Sequence, residues 1–230
     1  MINSSPTRSR LEADRLKKQR SRTALLEAAR DLFAQTGWSG TKVEDIARLA
    51  GVSPATAFNH FPTKFALMGH VFAPILEEVV DGETQSSSTF DALVRHVSDL
   101  SAAFRARPNY PLTVAFTGAV QEYTSRGGGP PDPDDMNDPR TIVPIPMHLA
   151  ELIGQAQASG YARTFPAAWD LATQVTNLLL LRCLSRPKES AGDSAEVVLT
   201  MLFGVLRPEV LVEAGREGRP FRSGASTDAF

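Results

Sequence analysis

The stretch of residues 41–64 constrains the fold of this chain more than any other part of the sequence. Apolar residues recur in its first half with the spacing of one helical face, at Val43, Ile46, Ala47 and Ala50. Thr41 and Glu44 have the spacing of a capping box, which predicts that the helix starts near Thr41. Gly51 is suited to end this helix, because the residue just past a helix often adopts the left-handed conformation that glycine tolerates best.

A second helix is predicted after a short turn. Ser53 can cap it, and Pro54 suits its first position, where a missing N–H costs nothing. The helix is expected to run over residues 54–61, because Pro62 disfavours helical backbone in the residue before it. Two short helices joined by a tight glycine turn form a helix-turn-helix, and residues 54–61 would be its recognition helix.

A wider set of residues accompanies this motif between positions 22 and 64: Leu25, Ala29, Leu32, Phe33, Gly37, Thr41, Ile46, Ala47, Gly51, Val52, Ser53, Thr56, His60, Phe61 and Lys64. In this arrangement, near the N-terminus and closed by the sequence FPTK, the segment resembles the DNA-binding domain of the tetracycline-repressor (TetR) family. The resemblance implies an all-α fold of about nine helices. Three would form the helix-turn-helix domain, and the rest a C-terminal domain for ligand binding and dimerisation.

The expectation of DNA binding rests on the residues of the motif that face outward, because the apolar ones would pack a three-helix core whatever it bound. The predicted DNA contacts are Lys42, Pro54, Ala55, Thr56, Phe58, Asn59, His60 and Lys64. Lys64 is expected to touch a phosphate, helped by the N-terminus of the next helix. Phe58 stands where the family usually has a tyrosine, and Pro54 and Ala57 also depart from its pattern, so details of the operator contact differ.

Charge is divided unevenly along the chain. Residues 1–64 hold 11 Lys or Arg against 6 Asp or Glu, whereas residues 65–230 hold 13 against 20. A positive end on an acidic body fits a polyanion-binding head, although basic N-termini are often only solubilising. A single cysteine, Cys183, and the lack of an apolar N-terminal segment favour a cytoplasmic protein without a membrane span.

The expected domains are a disordered basic arm at residues 1–15, a helix-turn-helix domain at 16–64, a ligand-binding and dimerisation domain at 65–208, and a mostly disordered tail at 209–230. In the first domain, a helix is expected to end at Gly37. In the body, helices are predicted near residues 65–80, 91–106, 112–125, 147–159, 166–185 and 193–206, with one further turn near 209–214. The Gly- and Pro-rich segment 127–146 is predicted to be a loop, able to act as a gate for a ligand.

By resemblance, the body holds an apolar pocket for a small organic effector. The candidate ligand-binding residues are Phe104, Phe116, Gln121, Tyr123, Met147, His148, Phe165, Trp169 and Asn177. The alternative for each aromatic residue is that it fills a closed core. The last two helices are expected to form a four-helix dimer interface through Leu178, Leu181, Val198 and Leu202, unless they only complete the monomer core.

Motifs that would indicate an enzyme, a cofactor or a metal site are missing from the sequence. It holds no GxSxG, P-loop or GxGxxG pattern. The acidic run DPDDMND lacks the glycine and the closing glutamate of a calcium loop. The sequence therefore predicts a homodimeric regulator, expected to repress by binding a palindromic operator and to release it on binding a small hydrophobic effector. A protein-interaction module of the same fold, a regulator without a ligand and an activator remain alternatives.

Overall fold

A computed structural model describes residues 5–81, 88–127 and 130–204 of this chain. These residues form ten helices: α1 (Ser5–Gly40), α2 (Val43–Leu49), α3 (Pro54–His60), α4 (Lys64–Asp81), α5 (Thr89–Arg105), α6 (Tyr110–Ser125), α7 (Pro139–Ile142), α8 (Pro146–Ala158), α9 (Ala168–Ser185) and α10 (Ala191–Phe203). The all-helical class is confirmed. The count exceeds the predicted nine because α7, a single turn, lies in the segment predicted to be a loop.

The head of the molecule consists of α1 to α3. Its core is the apolar stripe of α1, including Leu25 and Phe33, packed against Ile46 of α2 and Ala57 of α3. The turn between α2 and α3 is closed by hydrogen bonds from the Gly51 and Val52 amides to Arg48 and Ala47 carbonyls. Gly51 has φ +68°, as expected for the residue that ends α2.

Two details of the head differ from expectation. The first helix begins at Ser5 and covers most of the predicted disordered arm, because residues 10–20 are almost all strong helix formers such as Arg, Leu, Glu, Lys and Ala. At its other end, the chain bends at Gly37, with φ +70°, and continues helically to Gly40.

The predicted capping box of α2 is also wrong. Lys42 is the N-cap residue, and its side chain makes no capping hydrogen bond. The Thr41 hydroxyl instead donates to the Gly37 carbonyl at 2.7 Å and pairs with the Thr36 hydroxyl at 2.8 Å. Thr41 therefore closes the bend at the end of α1, and α2 starts two residues later.

The body consists of α4 to α10 around one apolar core. Three aromatic rings form its centre: Phe72 of α4 stacks on Phe116 of α6 at 4.2 Å between centroids and lies 6.0 Å from Phe104 of α5. Around them, α8 packs on α9, α5 on α10, and α6 on α1. Because α1 of the head packs against α4 and α6 of the body, the head and the body share a continuous core.

The segment between α6 and α8 is attached to the rest of the protein over the residues that the structure describes. Val143 and Ile145 are buried, and Ile142 of α7 lies against Gly69 of α4. Asp138 is 2% exposed, caps α7 and pairs with Arg140 at 2.7 Å. The segment therefore lies against α4 and α6 as part of the folded body.

The described residues contain no helix long and apolar enough to cross a membrane. The predicted turn of helix at residues 209–214 and the predicted tail lie outside the described residues, as does the polar segment 82–87.

Candidate nucleic-acid interface

The helix α3 is held by its own N-terminal sequence. The Ser53 hydroxyl accepts a hydrogen bond from the Thr56 amide at 3.1 Å, and Pro54 occupies the first turn. Ala57 is 1% exposed and faces the head core. The opposite face is free for a partner, as the exposed residues Pro54, Ala55, Phe58 and Asn59 show.

Among the predicted contacts, Thr56 and His60 are half-buried rather than fully exposed. The Thr56 hydroxyl pairs with that of Ser53 at 2.9 Å, so it contributes to the helix start. Burial, followed by the nearby positive charges of Lys18 and Arg22, lowers the pKa of His60 below its ordinary value. Burial and the positive charge from α1 therefore both favour the neutral form of His60.

Lys42 is exposed just before α2, where its ammonium can reach a ligand. The exposed part of the predicted interface thus comes from the start of α2 and one face of α3.

Lys64 points inward, contrary to its predicted role as a phosphate contact. Its ammonium donates a hydrogen bond to the Trp38 carbonyl and lies 3.9 Å from the centroid of the Trp38 ring. Burial lowers its pKa, an effect that Glu122 opposes. Because the ammonium of Lys64 makes both its hydrogen bond and its cation–π contact with Trp38, Lys64 joins the head to α4.

Trp38 is the centre of the contact between head and body. Its ring is 6% exposed and lies 5.0 Å from Phe65 of α4. Its indole N–H donates to the Glu122 carboxylate of α6 at 2.5 Å, and Arg126 pairs with the same carboxylate at 2.5 Å. The hydrogen bond from Trp38, with help from the Arg126 charge, lowers the pKa of Glu122.

A second set of contacts lies beside this one. The Tyr123 ring meets Phe65 edge-on at 5.2 Å, and its hydroxyl donates to Asp135. That hydrogen bond raises the pKa of Tyr123 to about 12. Arg140 lies 5.8 Å from the Tyr123 ring. Tyr123, predicted to hold a ligand, therefore connects α6 to the α6–α8 segment.

The predicted ligand-binding residues differ widely in their exposure. Phe104 and Phe116 are 0% and 1% exposed and fill the body core. The others with large exposed fractions are Met147, Phe165 and Trp169, at 52%, 81% and 43%, together with Gln121 and Asn177. His148 is half-buried, 4.8 Å from the ring of His96 and 3.5 Å from Glu151. The presence of aromatic residues in the sequence did not show which of them fill the core.

The predicted dimer residues fall on two different faces. Val198 and Leu202 of α10 are 0% and 4% exposed and lie in the core of the monomer, which agrees with the alternative that they only complete that core. Leu181 of α9 is 50% exposed and Leu178 is half-buried. On α10 the exposed apolar residues are Val197 and Met201, at 39% and 62%. An interface on these helices would use that outer face.

Sequence reasoning missed the positioning roles of Trp38 and Glu122. The contact between Trp38 and Glu122 joins positions 84 apart, so no local pattern could predict it. A basic run was visible in the sequence around Lys18 and Arg22, but not its closeness to α3.

Comparison with known proteins agrees with the geometry of the head. Residues 25–71 match the family described as bacterial regulatory proteins, tetR family. The chain is 43% identical over 58 residues to the HTH-type transcriptional regulator RutR of Escherichia coli K12, covering 25% of this chain and 26% of RutR. It is 33% identical over 84 residues to the HTH-type transcriptional repressor KstR2 of Rhodococcus jostii RHA1, covering 34% of this chain and 41% of KstR2. The alignments thus span about a quarter of RutR and less than half of KstR2.

Solved structures extend the likeness to the whole described fold. A TetR-family transcriptional regulator from Rhodococcus sp. superposes with a TM-score of 0.60 at 24% identity, over 82% of this chain and all of that one. FadR of Thermus thermophilus, a repressor solved with lauroyl-CoA, superposes with a TM-score of 0.58 at 21% identity, over 79% and 93% of the two chains. At these identities the superpositions show a shared fold.

Proposed function

Because residues 25–71 match the model of the TetR family, we propose that this chain is a member of that family and acts as a homodimeric transcriptional repressor that binds palindromic operator DNA. The observation that carries the proposal is α3, a capped helix whose free face presents Asn59 and Phe58 beside His60. A helix of this kind fits the major groove, with Lys42 nearby for a phosphate. The family is one of regulators, which agrees with the absence of enzyme motifs.

Only a few side chains of α3 can contact DNA bases. Asn59 can make a bidentate pair with adenine, and the exposed Phe58 ring offers apolar contact to a thymine methyl group. Pro54 and Ala55 bring no donor or acceptor in their side chains. One head therefore reads few bases, and two heads on successive major grooves are needed for specific binding.

Asn59→Ala tests this role. We expect a loss of about 1–3 kcal/mol on a duplex selected by the protein from a random pool, with a smaller loss on an unselected duplex. Fluorescence anisotropy at fixed salt measures both. Equal losses on the two duplexes would show that Asn59 makes only a phosphate contact, and no binding to any duplex would favour a protein-interaction module.

The dimer is proposed to form through the outer faces of α9 and α10. Leu181, Val197 and Met201 are apolar, and at 50%, 39% and 62% exposure they remain uncovered in the monomer. Packing two helices from each subunit would bury this face in a four-helix arrangement.

Sedimentation of two matched variants tests the interface. Met201→Glu places a charge on the outer face and is expected to give a folded monomer that no longer binds the operator. Val198→Glu buries a charge in the core, where Val198 is 0% exposed, and is expected to unfold the body. A folded, dimeric Met201→Glu would move the interface elsewhere.

A small hydrophobic effector is proposed to act on the body. By their names, FadR binds lauroyl-CoA and FrrA is flavonoid-responsive, and both superpose on this fold with TM-scores of 0.58 and 0.51. In this chain the Thr176 hydroxyl is 3% exposed and has no hydrogen-bond partner among the described residues. An effector that reached α9 could therefore satisfy a buried polar group.

Apolar compounds are screened for their ability to release the protein from the selected duplex. A rise in the melting temperature of the protein is the second measurement, because a bound effector stabilises the folded state. Thr176→Val is the matched variant, because it keeps the shape and removes the hydroxyl. A compound that releases DNA without raising the melting temperature would act on the head and not on the body. If no compound is active in either assay, a regulator without an effector would be favoured. An activator is distinguished by reporter expression after deletion of the gene.

A further inference from the structure

The helix α1 is longer than the head requires. It begins at Ser5, and from Arg10 onward its first buried residue is Leu25, with residues 10–20 all exposed. At about 1.5 Å per residue, the part between Arg10 and Leu25 extends roughly 22 Å. A helical segment with no buried face gains nothing from the protein's own core, so its sequence pattern must be explained in another way.

That pattern is a change of chemistry along one face. Leu25 and Ala29 lie on the stripe of α1 that packs into the head core. Counting back along the same stripe in steps of three or four residues gives Arg22, Lys18 and Arg15. We call these three residues the cationic ridge. The face that is apolar inside the head is therefore positively charged where it leaves the head.

The ridge begins beside the recognition helix. The Arg22 guanidinium lies 4.5 Å from the centroid of the Phe61 ring, and Phe61 directly follows α3. The charges of Lys18 and Arg22 both act on His60, the last residue of α3. From Arg10 to Arg22 the helix holds six Arg or Lys against Glu12 and Asp14, a net charge of +4.

We infer that the cationic ridge binds the phosphates of double-stranded DNA next to the bases read by α3, so that each head contacts a longer stretch of duplex than its helix-turn-helix alone. The inference rests on the proposed DNA-binding function and extends it to α1. A duplex is the partner that fits, because its phosphates form a regular line of negative charge along which an exposed cationic helix can lie. Ridge contacts of this kind add affinity and salt dependence without base reading.

The experiment uses two double variants with the same change in charge on the same helix. Arg15→Gln with Lys18→Gln removes charge from the ridge, and Lys17→Gln with Arg20→Gln removes it from the other side of α1. Arg22 is left unchanged because it also packs on Phe61. Circular dichroism checks that both variants keep the helical content of the wild type.

Affinity for the duplex selected by the wild type is measured by anisotropy over a range of salt concentrations. The ridge variant is expected to lower the slope of log affinity against log salt by about two units, since each phosphate contact contributes roughly 0.9. The control variant is expected to change the slope by less than half of that. Trimming the flanking base pairs is expected to weaken the wild type but not the ridge variant.

Equal slopes for the two double variants would overturn the inference, because net charge alone would then explain the effect. Wild-type binding unaffected by trimming would overturn it as well, even if operator binding is intact. Failure of the wild type to select or bind any duplex would instead remove the proposed function, and this inference with it.

Discussion

Trp38→Phe should destabilise the protein far more than the same substitution at the other tryptophan. Trp38 is 6% exposed, holds the Lys64 ammonium against its ring and donates its indole N–H to Glu122. Phenylalanine keeps an aromatic ring but removes the donor and the second ring. Trp169 is 43% exposed, so Trp169→Phe is the matched control.

The expected loss of stability in Trp38→Phe is the sum of two contributions, the hydrogen bond to Glu122 and the larger ring. A hydrogen bond to a charged group contributes about 1.5–3 kcal/mol, and the Glu122 side chain is 38% exposed, which places this bond at the lower end. The smaller ring weakens the contact with Lys64 and leaves unfilled volume, which costs about 1 kcal/mol more. The expected total is about 2–3 kcal/mol, against less than about 0.5 kcal/mol for Trp169→Phe.

Urea unfolding followed by circular dichroism measures both values. A double-mutant cycle of Trp38→Phe with Glu122→Gln should give a coupling of about 1 kcal/mol, because the two side chains share one charge-assisted hydrogen bond. Additive effects in the cycle, or equal losses for the two tryptophans, would refute the assignment of Trp38 as the link between head and body.

Three further outcomes are expected. Gly69→Ala should cost about 1–3 kcal/mol in urea unfolding, because its Cβ would lie 2.9 Å from the Ile142 Cβ, and Ile142→Ala in the same chain should restore part of the loss. Lys64→Gln should lower the melting temperature but leave the salt dependence of DNA binding unchanged, since the ammonium faces Trp38. His60, whose pKa is lowered in the free protein, should gain a proton near phosphates, so affinity measured by anisotropy should rise as pH falls below neutrality, and His60→Gln should remove that rise.

The parts of the fold that sequence predicted are those set by local backbone chemistry. Gly51 at φ +68°, the Ser53 cap and Pro54 in the first turn of α3 all have the predicted roles. Each depends only on residues within one helical turn. Thr41 does not cap α2, because Lys42 is the N-cap residue and the Thr41 hydroxyl lies at the bend of α1, where it donates to the Gly37 carbonyl.

The orientation of side chains within a helix was less predictable wherever two faces are apolar. On α10, Val197 and Val198 are adjacent, but one is 39% exposed and the other 0%. The packing of α5 against α10 decides which face is buried, and that contact is tertiary. Lys64 is a similar case, because a lysine in the first turn of a helix points to solvent unless a ring from elsewhere attracts it.

Two of the aromatic residues predicted to line a pocket, Phe104 and Phe116, belong instead to a series of packing contacts between the body and the head. Phe116 and Phe104 pack on Phe72 in the middle of α4, and the first turn of α4 carries Lys64, which contacts Trp38. An effector could change DNA binding only if it favoured one arrangement of these contacts over another. Separation of Phe72 from Phe116 would shift α4 and, through Lys64, the end of α1.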